Sequence, residues 1–203
     1  EGVGGRPIHI GGVGLLCPAG IGVDGLQGGE GGAVPGFKAR AYVPDRKSIK
    51  LMSRAVQLGV SAACLASSED DSMDRTPPPR RGMFVGARAQ SGEPTDLSRA
   101  FEVSWSADGE FEIGRFARDG MDRIHPLWLV KGLSNNVLGL TSSALDIQGV
   151  NSNYCHGEDG AWTALVEAAH AVAEGRVEWC LAGGSDSLVG AEDVLGRPLC
   201  GEA

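Results

Sequence analysis

Apolar residues recur at three- and four-residue intervals between Lys47 and Ala66, where Ile49, Met52, Val56, Val60 and Ala63 share a face opposite Lys50, Arg54, Gln57 and Ser61. The spacing predicts an amphipathic helix with one packed and one wet face. Upstream, Ile8 to Leu16 is a run of apolar and glycine residues ending at Cys17-Pro18-Ala19-Gly20. It reads as a buried strand, the first of a central sheet, entering a turn. The glycine-rich stretch Gly22 to Gly36 fits a flexible linker or a shortened, irregular helix equally well. Beyond the helix, the acidic, proline-rich stretch Ser67 to Arg81 reads as an exposed loop and Gly82 to Ala87 as a short buried strand.

Arg88 to Pro126 scatters Phe101, Trp105, Phe111 and Phe116 among charged residues, which predicts an excursion with short elements passing over the main sheet. Asn135 or Asn136 is a candidate cap for a helix through Val137, Leu138, Leu140 and Ala144, ended by Gly149. Val150 to Cys155 then reads as a strand and Gly160 to Glu174 as a helix stopped by Gly175. Val177 to Leu181 reads as a further strand entering the turn Ala182-Gly183-Gly184. A strand, a helix and a strand with a crossover of this length predict parallel pairing, so the class is α/β with a buried sheet. The whole of 1–203 is expected to form one domain, with 88–126 as its excursion.

Composition narrows the function more than the fold. A formal charge of −8 gives no basic footprint, so neither nucleic acid nor an anionic membrane is expected as a partner, and an acidic carrier protein would need a local basic patch. The five cysteines, Cys17, Cys64, Cys155, Cys180 and Cys200, contain no C-x-x-C pair and read as reduced intracellular thiols. Neither a long apolar run nor a charged start followed by an apolar stretch is present, so a cytoplasmic protein is expected. The first residue is not Met, and the sequence is read as beginning inside a native chain.

Several segments resemble, in order and at compatible spacing, the N-terminal half of the β-ketoacyl-acyl-carrier-protein synthases. IHIGGVGLLCPAGIGVDGLQGG (8–29) is similar to the family's opening strand and turn, and 47–66 to the long helix that follows. HPLWLVKGLSNNVLGLTSSALDIQG (125–149) resembles the stretch before the nucleophile strand, and LVEAAHAVAEGRVEWCLAGGSDSL (165–188) the helix, strand and A-G-G turn after it. The resemblance implies a thiolase-like, layered α/β/α fold with a mixed, largely parallel sheet, of which this chain is the N-terminal half. It also implies a sharp turn that presents a cysteine at a helix N-terminus, where the helix dipole favours the thiolate.

Counting forward from Gly149 and back from Leu165 and Ala182-Gly183-Gly184 places Glu158 at that cysteine's position. A carboxylate there would form an anhydride rather than the thioester that holds an acyl chain for condensation. Cys155, His156, Asp159 and Gly160 are expected around it, and Asp159 with Glu158 suits a helix start. Cys155, at a strand end, reads as a buried structural thiol turned from the site, and His156 as capping or lining the turn. The resemblance further implies dimerisation around Val150 to Cys155, with Asn136, Val150, Asn151 and Tyr154 at the dimer and tunnel surfaces. The two histidines and the lysine that complete the family's catalytic set belong to its C-terminal half, and 196–203 resembles a shortened form of the segment entering that half.

Other chemistries fare worse. His156-Gly157-Glu158 matches the H-x-E of zinc deaminases but lacks a downstream P-C-x-x-C, so no metal is expected. Gly11-Gly12-x-Gly14 lacks the full G-x-G-x-x-G pattern and its acidic partner, so no nucleotide cofactor is expected. His9 and His170 read as hydrogen-bonded structural residues, His125 as part of a turn, and Asp186 as a polar strand end. The expectation is a non-condensing, chain-length-factor-like subunit that pairs with itself or with a ketosynthase-like chain and meets an acyl carrier protein. Two alternatives stand beside it: an acyl-handling enzyme using Glu158 in malonyl decarboxylation or acyl transfer, and an assembly protein that keeps only the fold.

Overall fold

A computed structural model describes residues 7–26, 31–88 and 96–189, apart from the side chains of residues 25, 26 and 158. The chain divides into two compact units, one of Glu1–Ala89 with Ser134–Ala203 and one of Gln90–Leu133.

The larger unit opens with β1 (Leu16–Cys17) and β2 (Gly20–Ile21), which form a small antiparallel hairpin. Residues 7–15 join no ladder among the described residues, which corrects the expected central strand. Ile8, Val13 and above all Ile10, 86% exposed, face outward. The glycines explain the placement. A Cβ on Gly14 would lie 1.8 Å from the Ala62 carbonyl oxygen and one on Gly12 2.2 Å from that of Ala66, so the segment lies tight against a helix instead of within a sheet. That helix, α1, spans Arg54–Ser68 and starts at Ser53, whose extended backbone lets its Oγ accept from the Val56 N–H at 3.4 Å. The predicted start at Lys47 is therefore early: Ser48–Leu51 forms a separate 3-10 turn before the helix. Ser61, expected on the wet face, is fully buried. Gly22 to Gly36 carries a 3-10 turn at Val23–Leu26, and 27–30 lie outside the described residues.

After α2 (Ser72–Arg75) comes β3 (Arg81–Ala87), the central strand of a three-stranded sheet. Helices α3 (Ser98–Glu102), α4 (Ile113–Arg115) and α5 (Trp128–Lys131) belong to the smaller unit. The chain returns through α6 (Asn136–Leu145), β4 (Asn151–Tyr154), α7 (Gly160–Ala173) and β5 (Trp179–Ser185). Strands β4 and β5 flank β3, and both pair with it in parallel. The predicted turn Ala182-Gly183-Gly184 is thus the second half of β5, paired with Phe84, Val85 and Gly86.

Alternation along β3 builds a three-layer α/β/α core. Met83, Val85 and Ala87 pack with Val56 and Val60 of α1 and Val137 of α6. Phe84, 2% exposed, packs on the other face with Ala164, Ala168 and Ala171 of α7 and with Val177. The alanine face of α7 brings the helix close to the sheet. Arg81 seals the opposite end of β3 by donating to the carbonyls of Thr76 at 2.8 Å and Leu145 at 3.1 Å. Helix α6 ends at Asp146, in the left-handed region at φ 50°, three residues before the expected Gly149. Asn135 precedes the helix with φ −93° and ψ 12°, outside the extended conformation a capping residue takes, and its side chain makes no capping bond. Gly175, at φ 71°, follows α7 as expected.

In the smaller unit, Phe101, Phe111 and Phe116 form a ring cluster with centroids 5.8–5.9 Å apart, and Trp105 packs edge-on against Phe111. A single antiparallel bridge joins Trp105 to Phe111, and the Lys131 ammonium pairs with Asp96 at 3.0 Å.

Candidate functional site

The three parallel strands end on the same side of the sheet, at Ala87, Tyr154 and Ser185. Ligands of parallel α/β sheets bind at this carboxyl edge. From Tyr154 the chain passes Cys155 and His156, turns at Gly157 with φ +61°, and makes a 3-10 turn over Gly157–Asp159 that runs directly into α7 at Gly160. This is the sharp strand-to-helix elbow expected between Val150 and Glu174.

Close packing fixes the elbow. Gly86, Tyr154 and Gly184 lie side by side in the ladder, at the level of the first turn of α7. A Cβ on Gly86 would stand 2.3 Å from both the Ala161 nitrogen and the Gly160 carbonyl carbon, and one on Gly184 would stand 2.6 Å from the Ala161 Cβ. A Cβ on Gly160 itself would meet the Tyr154 carbonyl oxygen at 2.8 Å. The start of α7 therefore rests on bare backbone at the ends of β3 and β5. Sequence reasoning missed Gly86 and Gly184 as determinants of the site; their shared register in the ladder is the signal.

The structure brings Tyr154, Cys155, His156, Asp159 and Gly160 together along the elbow. Glu158 lies within the 3-10 turn, and its side chain lies outside the described residues. Cys155 is exposed, which corrects the buried structural thiol: β4 ends one residue earlier, so the cysteine has already left the ladder. Its Sγ accepts from Asn153 Nδ2 at 3.1 Å, and the same amide donates to the Ser134 carbonyl at 3.3 Å. His156 precedes the 3-10 turn without a side-chain capping bond, and its ring centroid lies 6.2 Å from that of Tyr154. Asp159 is exposed and its carbonyl accepts from Thr163 Oγ1 at 3.0 Å.

On the other side of the elbow, Arg88 faces Asp186 at 3.6 Å beyond the ends of β3 and β5, and Ser185 Oγ donates to the Ala55 carbonyl at 2.6 Å. The candidate dimer and tunnel residues divide. Asn136 is buried in the first turn of α6, whereas Val150, just before β4, and Asn151, its first residue, are exposed beside the edge of the described sheet. Cys64 and Cys180 are packing residues, and Cys200 lies outside the described residues: burial raises the Cys64 thiol, and burial pushes Cys180 up to about 12. His170 is exposed on α7, with no side-chain hydrogen bond to a described residue, and His9 lies in the opening segment that joins no ladder among the described residues. His125 forms its expected turn, Nδ1 accepting from the Leu127 N–H at 3.1 Å. Among the described residues no group of three His, Cys, Asp or Glu side chains is placed to hold a metal, and no helix is long and apolar enough to cross a membrane.

No family model matches the sequence, and none of the curated proteins does. Solved structures do match. The ishigamide ketosynthase/chain length factor superimposes over 94% of this chain and 50% of its own, with a TM-score of 0.71 at 17% identity. A β-ketoacyl synthase from Burkholderia phymatum STM815 superimposes over 94% of this chain and 49% of its own, with a TM-score of 0.65 at 21% identity. A type II polyketide ketosynthase in complex with its acyl-carrier protein covers 81% of this chain and 43% of its own, with a TM-score of 0.65 at 16% identity. The fold is the thiolase-like α/β fold of the ketosynthases. The chain spans about half the length of these structures.

Proposed function

We propose that this chain is a ketosynthase-like subunit of a fatty-acid or polyketide-type synthase that pairs with another thiolase-fold chain and does not itself condense. The observation that carries the reading is the elbow. Its backbone passes sharply from strand into helix over close-packed glycines, a geometry suited to presenting a nucleophile, yet the turn reads Gly157-Glu158-Asp159, and the nearest thiol, Cys155, precedes it on the strand side. A helix N-terminus would favour a thiolate there, and no thiol is offered. A carboxylate keeps the charge and loses the acyl-carrying chemistry. The likeness to the ishigamide ketosynthase/chain length factor supports a partner role.

Two surfaces support pairing. Strand β4 has a ladder partner on one side only among the described residues, and a strand edge with unpaired backbone groups is a template for another strand. Helix α7 carries a second apolar stripe away from the sheet. Its alanines cover the sheet, while Trp162, Leu165 and Val166, spaced i, i+3, i+4 on the other side, are 71%, 44% and 52% exposed. An exposed apolar stripe of this spacing is a helix face suited to burial, so a second α/β layer is the covering expected over it.

The test is a condensation assay with malonyl- and acyl-loaded carrier proteins, run on this protein alone, on its Glu158→Cys variant alone, and on the protein mixed with a cysteine-bearing ketosynthase. The reading predicts β-ketoacyl product only in the mixture. Product from either single protein contradicts it, and release of carbon dioxide without product from the wild type alone favours a decarboxylating role for Glu158 instead.

A further inference from the structure

Four aspartates of the chain precede a glycine, at Asp24-Gly25, Asp108-Gly109, Asp119-Gly120 and Asp159-Gly160. A glycine has no Cβ to screen its nitrogen, and at such a step that nitrogen attacks the aspartate Cγ. The N–Cγ bond forms as the Cγ–OH bond breaks, and the amide proton leaves with the hydroxyl as water. The cyclic imide then takes water back. Addition at Cγ restores aspartate, whereas addition at the main-chain carbonyl breaks its bond to nitrogen and leaves the chain running through Cγ, as isoaspartate. No oxidant or partner is consumed, but the ring closes only where the peptide plane is free to turn.

Helical backbone holds three of the four steps. Asp119 and Gly120 end a π-helical turn, Phe116–Gly120, where buried Gly120 is so confined that a Cβ would stand 3.0 Å from the Ala100 carbonyl oxygen and from Ser104 Oγ. Asp159 has φ −78° and ψ −13°, and the Gly160 N–H donates to the Gly157 carbonyl where α7 begins. Asp24 and Gly25 lie inside the 3-10 helix Val23–Leu26.

Asp108-Gly109 is placed differently. Both residues are exposed, Gly109 has φ +80°, and a Cβ on it would meet nothing within 4 Å. Its N–H donates to the Ser106 carbonyl at 3.2 Å across one exposed turn, and a turn with so few contacts opens locally at little cost. The turn closes the antiparallel bridge between Trp105 and Phe111. Below its tip the Ser106 N–H donates to the Glu110 carbonyl at 2.8 Å, and the Glu110 N–H donates to Ser106 Oγ at 3.1 Å.

We infer that Asp108 is a site of spontaneous isomerisation to isoaspartate, selected from the four by the fold, and that the modification loosens the aromatic cluster of the smaller unit. Isoaspartate adds one methylene to the main chain, about 1.5 Å, between two residues whose bridge has a fixed span. The edge-on contact of Trp105 with Phe111, at 5.8 Å between centroids, depends on that span. Phe111 also touches Phe101 and Phe116, so a slip of the bridge reaches the whole cluster. The modified residue carries a free α-carboxylate on an exposed turn, the group that an isoaspartyl carboxyl methyltransferase takes as substrate. This reading is independent of the proposed subunit role.

The experiment ages the whole chain at neutral pH, folded in one sample and unfolded in urea in another. Tryptic peptides are separated and isoaspartate is located by electron-transfer fragmentation, with methyl transfer from labelled S-adenosylmethionine by an isoaspartyl methyltransferase as a second count. The inference predicts more isoaspartate at Asp108 than at Asp24, Asp119 and Asp159 together in the folded chain, and comparable amounts at all four in urea. It also predicts that the near-ultraviolet circular dichroism of the folded chain declines in step with modification at Asp108. That decline should be missing from Asp108→Glu, whose longer side chain closes the imide ring far more slowly. Equal amounts at the four positions of the folded chain, or a maximum at another of them, overturn the selection by the fold. Isoaspartate at Asp108 with unchanged dichroism overturns the effect on the cluster. The comparison of folded with unfolded wild type needs no variant, so it stands even where Asp108→Glu fails to fold.

Discussion

Adding one methyl group at Gly86 or Gly184 should loosen the elbow, while adding it at Gly183, the neighbour of Gly184 on β5, should not. A Cβ at Gly86 would press to 2.3 Å on two backbone atoms of α7, which cannot rotate away. At Gly184 it would meet the Ala161 Cβ at 2.6 Å, whereas at Gly183 nothing lies within 4 Å. None of the three has a left-handed backbone, so the contrast is one of space alone. Overpacking of a tight contact costs about 1–3 kcal/mol, and rigid backbone on both sides puts Gly86→Ala near the upper end. For a chain of this length each kcal/mol moves the thermal midpoint by about 2–4 °C, so Gly86→Ala should lower it by about 6–12 °C and Gly184→Ala by somewhat less. Gly183→Ala should be neutral or slightly stabilising, by up to about 1 kcal/mol, because alanine loses less backbone entropy in a strand. Thermal unfolding followed by circular dichroism reads all three. Equal midpoints for the Gly183 and Gly184 variants would refute the docking of α7 on the strand ends.

Replacing Arg81 by Lys keeps the charge but loses the fork that spans the Thr76 and Leu145 carbonyls, and should cost about 1–2 kcal/mol in urea unfolding, with faster hydrogen exchange at the end of α6. Under native conditions at pH 8.5 iodoacetamide should label exposed Cys155 and spare Cys180 and Cys64, whose thiols burial holds neutral; peptide mass mapping that finds Cys180 labelled first would contradict the packing of β5. A Cys180 thiol raised to about 12 in the folded chain from an ordinary value near 9 stays protonated after its unfolded counterpart has ionised, so its contribution to stability is complete below pH 9 and declines from there toward pH 12. Urea midpoints at pH 8 and pH 10.5 should therefore fall with pH in the wild type, and fall less in Cys180→Ala.

The sequence made the local strands and helices legible where one face of an element meets one layer. The core of β3, the course of β4 and the helix α7 follow from short alternating runs and an alanine-rich face. Elements covered from more than one direction were misread. Ser61 looked like a wet position because it is polar, yet α1 carries the sheet and α6 on one side and the opening segment on another, through Ala62 and Ala66, so no simple two-faced pattern exists. Ile8 to Leu16 has a strand's composition, but pairing depends on distant partners, and its glycines serve close approach to a helix. The same holds for Ala182-Gly183-Gly184, where adjacent glycines imitate a turn and Gly184 in fact admits α7. Capping was decided by backbone angles that residue type alone does not fix: Ser53 is extended and caps, Asn135 is not and does not.

The site was legible as a place more than as chemistry. Counting from Gly149 and from Leu165 located the elbow because strand and helix lengths around it leave no slack. The exposure of Cys155 was hidden, since one residue at the end of β4 decides between ladder and turn.

The central claim is that this chain completes a partner's active site without carrying one, and native mass spectrometry of the protein co-expressed with a cysteine-bearing ketosynthase from the same source tests it most directly. The account predicts a one-to-one complex that survives gentle transfer and carries acyl groups on the ketosynthase cysteine alone. A free protein that accumulates a covalent acyl adduct of its own when given acyl-carrier substrate would contradict it.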